Sequence, residues 1–206
     1  MQNIELNLKE INKYYITPEY SKKSEKLFFD VIDNALKDGI KIIQFRSKNI
    51  TNKLYKNISL KISEKCEANK ALFIVNGFKN YTNDIFCSGI QFTSNDINNL
   101  DFSKIKKNIY FFGSCHDEYE IEICNKNNFD LILLSPVKDT KGKKGIGWQR
   151  FKELTSRSRT PVFALGGLNF KNDMRIVEME GGYGIAATRY FYNLYQNSPP
   201  VYPCCC

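Results

Sequence analysis

The sequence predicts an α/β chain folded as a (β/α)8, or TIM, barrel, and three observations carry that reading. Eight short apolar runs rich in β-branched and aromatic residues recur along it: Tyr14–Thr17, Ile40–Phe45, Leu72–Asn76, Gly89–Thr93, Ile109–Gly113, Leu131–Val137, Val162–Gly166 and Tyr183–Ala187. Their starts lie 26, 32, 17, 20, 22, 31 and 21 residues apart, enough for a strand, a short helix and two loops each time. The polar stretches between them carry helical stripes. Strands alternating with helices pair in parallel, and eight of them suffice to close a barrel. An open doubly wound sheet is the second architecture, because one misread strand would break closure.

The elements follow in order. Lys23–Lys37 places Leu27, Phe28, Val31, Ile32 and Leu36 at spacings of one, three and four, the signature of one buried helix face. Thr51–Ala68 repeats this with Leu54, Ile58, Leu60 and Ile62. The helix between Asn76 and Gly89 is the weakest, with only about eight residues free once loops are allowed. Glu118–Asn127 carries Ile121 and Ile123, Gln149–Ser158 carries Phe151 and Leu154, and Asn169–Glu180 carries Met174, Ile176, Val177 and Met179. No linker rich in Pro, Gly and Ser precedes Ser198, so residues 1–197 read as one barrel domain. The stretch SPPVYPCCC, 198–206, reads as a disordered tail with the look of a truncation or frameshift scar.

Composition narrows the function. A chain of 206 residues can bury about 70% of its unfolded surface and needs no staples. With 42% hydrophobic, 14% aromatic and 25% charged residues it is neither disordered, collagen-like nor membrane-spanning. The net charge is +8, but 24 of the 30 basic residues are Lys scattered among many Asn and Ile, which reads as coding bias as easily as a nucleic-acid surface. No nucleic-acid or membrane partner is expected; a charge-driven nucleic-acid binder remains a third reading, marked by salt-dependent binding of arbitrary DNA or RNA. Cys66, Cys87, Cys115 and Cys124 are isolated, Cys204–Cys206 are consecutive, and His116 is the only histidine. That disfavours a disulfide framework, a zinc site, a Cys/His dyad and a serine triad. The opening MQNIELNLKEINKYY is too charged for a secretory signal, so a reducing cytoplasm is expected. Oligomeric state is open, a homo-oligomer being compatible.

In either architecture chemistry sits beyond the carboxyl ends of the strands. Gln44, Arg46 and Lys48 alternate at the end of the second run, an amide and two cations suited to an anion or, on the bland reading, a solvated strand end. Asn76 ends the third run, Asp96 follows the fourth, and Ser114-Cys115-His116 ends the fifth. Each could be ordinary turn chemistry, with Asn76-Gly77 a turn dipeptide and Asp96 an N-cap. After the sixth run, Lys138–Gly145 is a basic loop with Thr140 and Lys143, able to wrap a phosphate or to be a mobile lid tip; it lacks P-loop spacing. Gly166-Gly167 after the seventh run and Arg189 after the eighth stand where barrels hold phosphate, although the glycines could serve only a tight turn.

These residues, in this order from Tyr14 to Arg189, resemble the thiamine phosphate synthase and thiazole tautomerase superfamily. Tyr14-Tyr15-Ile16-Thr17 is similar to its opening strand and Gln44-x-Arg46-x-Lys48 to its Q-x-R-x-K signature. Asn76 and the step of twenty residues to Asp96 match as well. Ser114-Cys115-His116 resembles a Ser-x-His segment, Ser135-Pro136-Val137 a Gly-Pro-[Ile/Val] stretch, Thr140–Lys143 a Thr-x-Thr-Lys loop, and Phe163–Gly167 the Gly-Gly element of strand seven.

The resemblance implies an enzyme of thiamine biosynthesis that joins an aminopyrimidine methyl diphosphate to a thiazole phosphate, giving thiamine phosphate and pyrophosphate. It implies catalytic roles for Arg46, Lys48, Lys143 and Ser114, substrate binding by Gln44, Asn76, Thr140, Gly166, Gly167 and Arg189, and a Mg²⁺ held by Asp96. Three departures stand out: Gly77 replaces the Asp of an Asn-Asp pair, Gly142 replaces the second Thr of the loop, and Thr188-Arg189 replaces a small polar pair. They resemble the branch found behind Nudix hydrolases, with Gly147-Trp148 and Gly184-Ile185-Ala186-Ala187 also in keeping, though no Nudix box is present. The tautomerase branch fits less well, its catalytic His falling at Pro136. The alternative to the synthase is a catalytically degenerate barrel that binds a phosphorylated heterocycle such as thiamine phosphate.

Overall fold

The computed structural model describes residues 7–81, 85–105 and 107–197. The expected disordered tail, 198–206, lies outside them. Eight strands, β1 Lys13–Ile16, β2 Ile42–Phe45, β3 Leu72–Asn76, β4 Gly89–Phe92, β5 Tyr110–Cys115, β6 Leu131–Leu134, β7 Val162–Leu165 and β8 Gly184–Ala187, pair in parallel and in sequence order. β8 returns to β1, with Tyr14 beside Ala186, so the sheet is a closed barrel and the open alternative falls.

All eight expected strands exist, and their ends shift by a few residues for local reasons. Thr93 leaves the sheet because its side chain caps the next helix by accepting from the Asp96 N–H. β6 stops at Leu134, two residues before Pro136, which has no N–H to give to the ladder. β5 instead runs two residues further than expected, carrying Ser114 and Cys115 into the barrel wall.

Among the described residues seven α-helices surround the barrel: α1 Glu25–Lys37, α2 Asn52–Ala68, α3 Ser94–Asn99, α4 Glu118–Lys126, α5 Gly147–Thr155, α6 Phe170–Met179 and α7 Arg189–Gln196. α1 buries the predicted face, Phe28, Val31, Ile32 and Leu36, although Leu27 is exposed. α2 buries the expected Ile58 and Ile62, with Tyr55 and Cys66 completing the face, whereas the expected Leu54 and Leu60 are only partly covered. The i, i+3 and i+4 steps through Tyr55 and Cys66 outweigh the bulk of the two leucines. Where the weakest helix was expected, the described residues hold one short 3₁₀ turn, Phe78–Asn80. α3 and α7 were not foreseen. The outer core lies between helices and barrel, and a second cluster built on Tyr14, Ile42, Ile74, Phe112, Leu133 and Phe163 fills the barrel itself. Cys115 and Cys124, isolated in sequence, meet as free thiols with their Sγ atoms 3.6 Å apart.

Candidate active site

Strand alternation decides what faces the barrel mouth. Ile42, Ile74 and Phe112 point into the barrel, so two residues on, Gln44, Asn76 and Ser114 form the next layer toward the carboxyl ends, joined by Gln91 of β4. The layer is wired in two pairs. Gln44 donates from Nε2 to Asn76 Oδ1 at 2.8 Å, and Gln91 donates from Nε2 to Ser114 Oγ at 2.9 Å. Gln91 in turn accepts at Oε1 from the Tyr14 hydroxyl, 2.9 Å away across the barrel interior. From behind, the Tyr55 hydroxyl donates to Phe45 O at 3.1 Å and accepts from Asn76 N at 3.4 Å, clamping the ends of β2 and β3 together. One acceptor stays empty: Gln44 Oε1 is buried with no partner among the described residues. A buried acceptor left so costs about 1–3 kcal/mol, which a ligand N–H or O–H would recover.

The candidate cations follow the carboxyl ends of β2, β6 and β8, at the same end of the barrel as this layer. β2 ends at Phe45, earlier than the Gln44, Arg46, Lys48 alternation assumed, and the chain is then tied to the loop after β1. Thr17 Oγ1 accepts from Arg46 N at 3.1 Å, and Glu19 Oε2 accepts from Ser47 Oγ at 3.0 Å and Lys48 N at 2.9 Å. Arg46 is half-buried and Lys48 exposed. The basic loop is a small hairpin in which Thr140 and Lys143 exchange two backbone hydrogen bonds of 2.9 and 3.0 Å around Gly142. Asp139 Oδ1 closes its base on Gly145 N at 2.7 Å. The free charges of this loop are therefore Lys141, Lys143 and Lys144, since Lys138 is paired with the buried Asp173 at 2.7 Å. Arg189 opens α7 and is exposed. Among the described residues, Arg46, Lys48, Lys143 and Arg189 form no ion pair.

Gly166 and Gly167 sit at φ +101° and +69°, and a Cβ on either would come within 2.7 to 2.8 Å of Pro136 or Asp139 O. Packing of the β7–α6 loop on the β6–α5 loop thus requires both glycines. Their arrangement also leaves the Gly167 and Leu168 amides without an acceptor among the described residues. Thr188 does not cap α7, so the first-turn amides of that helix are likewise open to an anion.

Asp96 is the third residue of α3 and completes its capping box, not the N-cap itself. Oδ2 accepts from Thr93 N at 2.9 Å, Thr93 Oγ1 at 2.8 Å and Phe78 N at 3.2 Å. Only its other oxygen is uncommitted, and among the described residues no group of three His, Cys, Asp or Glu side chains converges to hold a metal. The donor set suits a Mg²⁺ that takes one carboxylate oxygen from the chain and the rest from substrate phosphate and water.

His116 lies beside the site with a partner. Its N–H and Nδ1 stand 2.6 and 3.1 Å from Glu120 Oε2, while Ser94 Oγ and Asn98 Nδ2, the latter at 2.9 Å, reach Glu120 Oε1. Burial pushes the Glu120 carboxyl up, but the donors from His116 and Ser94 outweigh it and hold it down at about 2. Glu120 thereby pins α3 and the β5–α4 loop to each other. Sequence reasoning passed over Gln91 and Tyr14. A signal existed: Ile-Gln-Phe occurs twice, at 43–45 and 90–92, each time setting an amide in an otherwise apolar strand.

A family profile described as Thiamine monophosphate synthase matches residues 13–190, first strand to last helix. The chain belongs to that family. Similar proteins include the thiamine-phosphate synthase of Fusobacterium nucleatum, 28% identical over 81% of this chain and 82% of that one. The thiamine-phosphate synthase of Thermoplasma acidophilum is 23% identical over 91% and 86%. Among solved structures, thiamine phosphate pyrophosphorylase from Pyrococcus furiosus superposes with a TM-score of 0.74 at 23% identity, covering 88% of each chain, and so shares the fold. Among the described residues no helix is long and apolar enough to cross a membrane.

Proposed function

We propose that this barrel joins an aminopyrimidine methyl diphosphate to a thiazole phosphate. The observation that carries this reading is the pairing of four cations, Arg46, Lys48, Lys143 and Arg189, which have no carboxylate partner among the described residues, with an inner layer of wired amides at the same end of the barrel. A site built that way suits a reaction in which negative charge develops on a leaving group. The bond between the pyrimidine methylene and the diphosphate oxygen breaks, the electron pair leaves with pyrophosphate, and the thiazole nitrogen supplies the pair for the new C–N bond. No general base is needed.

Arg46, Lys48 and Lys143 receive the charge growing on the leaving oxygens, and Asn76, Ser114 and Thr140 place them. Gln44, tied to Asn76 through Nε2, leaves Oε1 unpartnered, and this buried oxygen would accept from the pyrimidine's amino group once the rim side chains move aside for it. The Gly167 and Leu168 amides, the open end of α7 and Arg189 receive the thiazole phosphate. When bound, Mg²⁺ neutralises charge on the diphosphate, and the free oxygen of Asp96 is the one that would hold it. The reading is tested by mixing purified protein, Mg²⁺ and both precursors. Formation of thiamine phosphate supports it. Tight retention of thiamine phosphate without turnover would favour the degenerate binder instead.

A further inference from the structure

We infer that Tyr14 and Gln91 are positioning residues that fix the Ser114 hydroxyl as a hydrogen-bond donor to an anion in the barrel mouth. The inference deepens the reading above and rests on it for the identity of the anion, the diphosphate.

The argument begins with proton bookkeeping in a dry place. Tyr14 is fully buried, its ring held edge-on by Phe112 and Phe163 at centroid distances of 6.1 and 6.3 Å. A phenol there stays protonated and must give its proton to an acceptor or lose that hydrogen bond outright. The acceptor within reach is the Gln91 side chain at 2.9 Å. Tyr14 therefore dictates which way the Gln91 amide is turned: oxygen toward β1, NH₂ toward β5. Gln91, 1% exposed, has no freedom to turn back, because a flipped amide would leave the phenol proton facing an NH₂ group.

With the amide so turned, its N–H occupies a lone pair of Ser114 Oγ at 2.9 Å. A hydroxyl that accepts from behind keeps its own proton for the front. Among the described residues nothing accepts that proton, and Ser114 is the half-exposed end of the chain of three. What remains is a donor of fixed polarity at the mouth, matched to a phosphate oxygen and mismatched to a ligand N–H. The neighbouring pair holds an unpartnered acceptor, Gln44 Oε1, buried beneath the mouth and not exposed at it.

The test is a double-mutant cycle read by calorimetric titration with inorganic pyrophosphate and Mg²⁺, alongside steady-state kinetics. Tyr14→Phe keeps the ring and its packing, and should weaken pyrophosphate about three- to tenfold, with Ser114→Ala weakening it about tenfold. In the Ser114→Ala background, Tyr14→Phe should change pyrophosphate affinity less than about twofold. Gln91→Met, of similar volume without hydrogen-bonding groups, should behave as Tyr14→Phe does and serves if that variant folds poorly. The KM for the pyrimidine diphosphate should rise while that for the thiazole phosphate holds. Additive losses, no loss on Tyr14→Phe, or no pyrophosphate binding by the wild type would overturn the relay. Coupled pyrophosphate binding without thiamine phosphate formation would keep the relay and remove the synthase reading; turnover without coupling would do the reverse.

Discussion

Position 77 shows how much one missing side chain can decide. Gly77 sits at φ +81° and ψ 138°, a conformation that L side chains rarely adopt, and a Cβ there would stand 3.8 Å from Asp96 Oδ2. A Cβ meets only ordinary contacts there, but the backbone conformation resists it. Gly77→Asp is therefore expected to cost about 1–3 kcal/mol of strain, lowering the melting temperature by several degrees, and to raise Mg²⁺ affinity by setting two carboxylates side by side. Melting curves with and without Mg²⁺, together with Mg²⁺ titration in the presence of pyrophosphate, check both halves; a lower melting point with unchanged Mg²⁺ affinity would mean the lost carboxylate is no metal ligand. Arg46 and Lys143 pose the converse case, because neither is tied to a carboxylate among the described residues. Arg46→Ala and Lys143→Ala should each weaken pyrophosphate about tenfold and move the melting temperature by no more than about 2 °C. A large loss of stability would show that these side chains serve the fold.

At the scale of elements, the β5–α4 loop and α3 are held as one piece by Glu120, buried and reached by His116, Ser94 and Asn98. Replacing it by Ala strands several donors, and a loss of about 2 kcal/mol, or roughly 4–8 °C, is expected. The pH dependence has a definite sign. Because the folded carboxyl is held at about 2, below its ordinary value, the stabilisation is full above the unfolded carboxyl range and disappears as pH falls toward 2. Melting curves of wild type and Glu120→Gln should therefore differ most near neutrality and converge in acid; a gap that stays constant with pH would remove Glu120's charge from the account. The same region marks where sequence patterning stops being legible. β3 is read to the residue because Leu72–Val75 is apolar and Asn76 is not. α3, six residues long with only Ile97 buried, leaves no stripe to read, and its start is set by side-chain bonds between Thr93 and Asp96. The rim cations could be named from spacing along the chain. The Tyr14, Gln91, Ser114 wiring could not, since it joins β1, β4 and β5 across 77 and 23 residues and becomes visible only once the barrel closes.

The whole molecule separates its two tasks along the barrel axis. Among the described residues, the carboxyl end holds cations without ion pairs and open amides, and at the amino end a seam of paired groups joins α1 to α7. There Asp38 accepts from the Tyr195 hydroxyl at 2.5 Å and stands 3.4 Å from Lys13 Nζ, and Asn34 Nδ2 donates to Tyr195 O at 3.2 Å. These contacts tie α1, which precedes β2, to α7, the last helix, and so bring the two ends of the chain's winding together around β1. Barrel closure depends on that seam, because β8 and β1 are the one adjacent pair of barrel strands that do not follow each other in sequence. Asp38→Ala is accordingly expected to lower the melting temperature by several degrees, through the buried end of Tyr195, while leaving pyrophosphate affinity and the KM of both precursors within about twofold of wild type. Tyr195→Phe should reproduce most of the loss. Were Asp38→Ala to weaken pyrophosphate as Arg46→Ala does, the two ends of the barrel would be coupled through β1 and Tyr14, and the division between scaffold and site would fail.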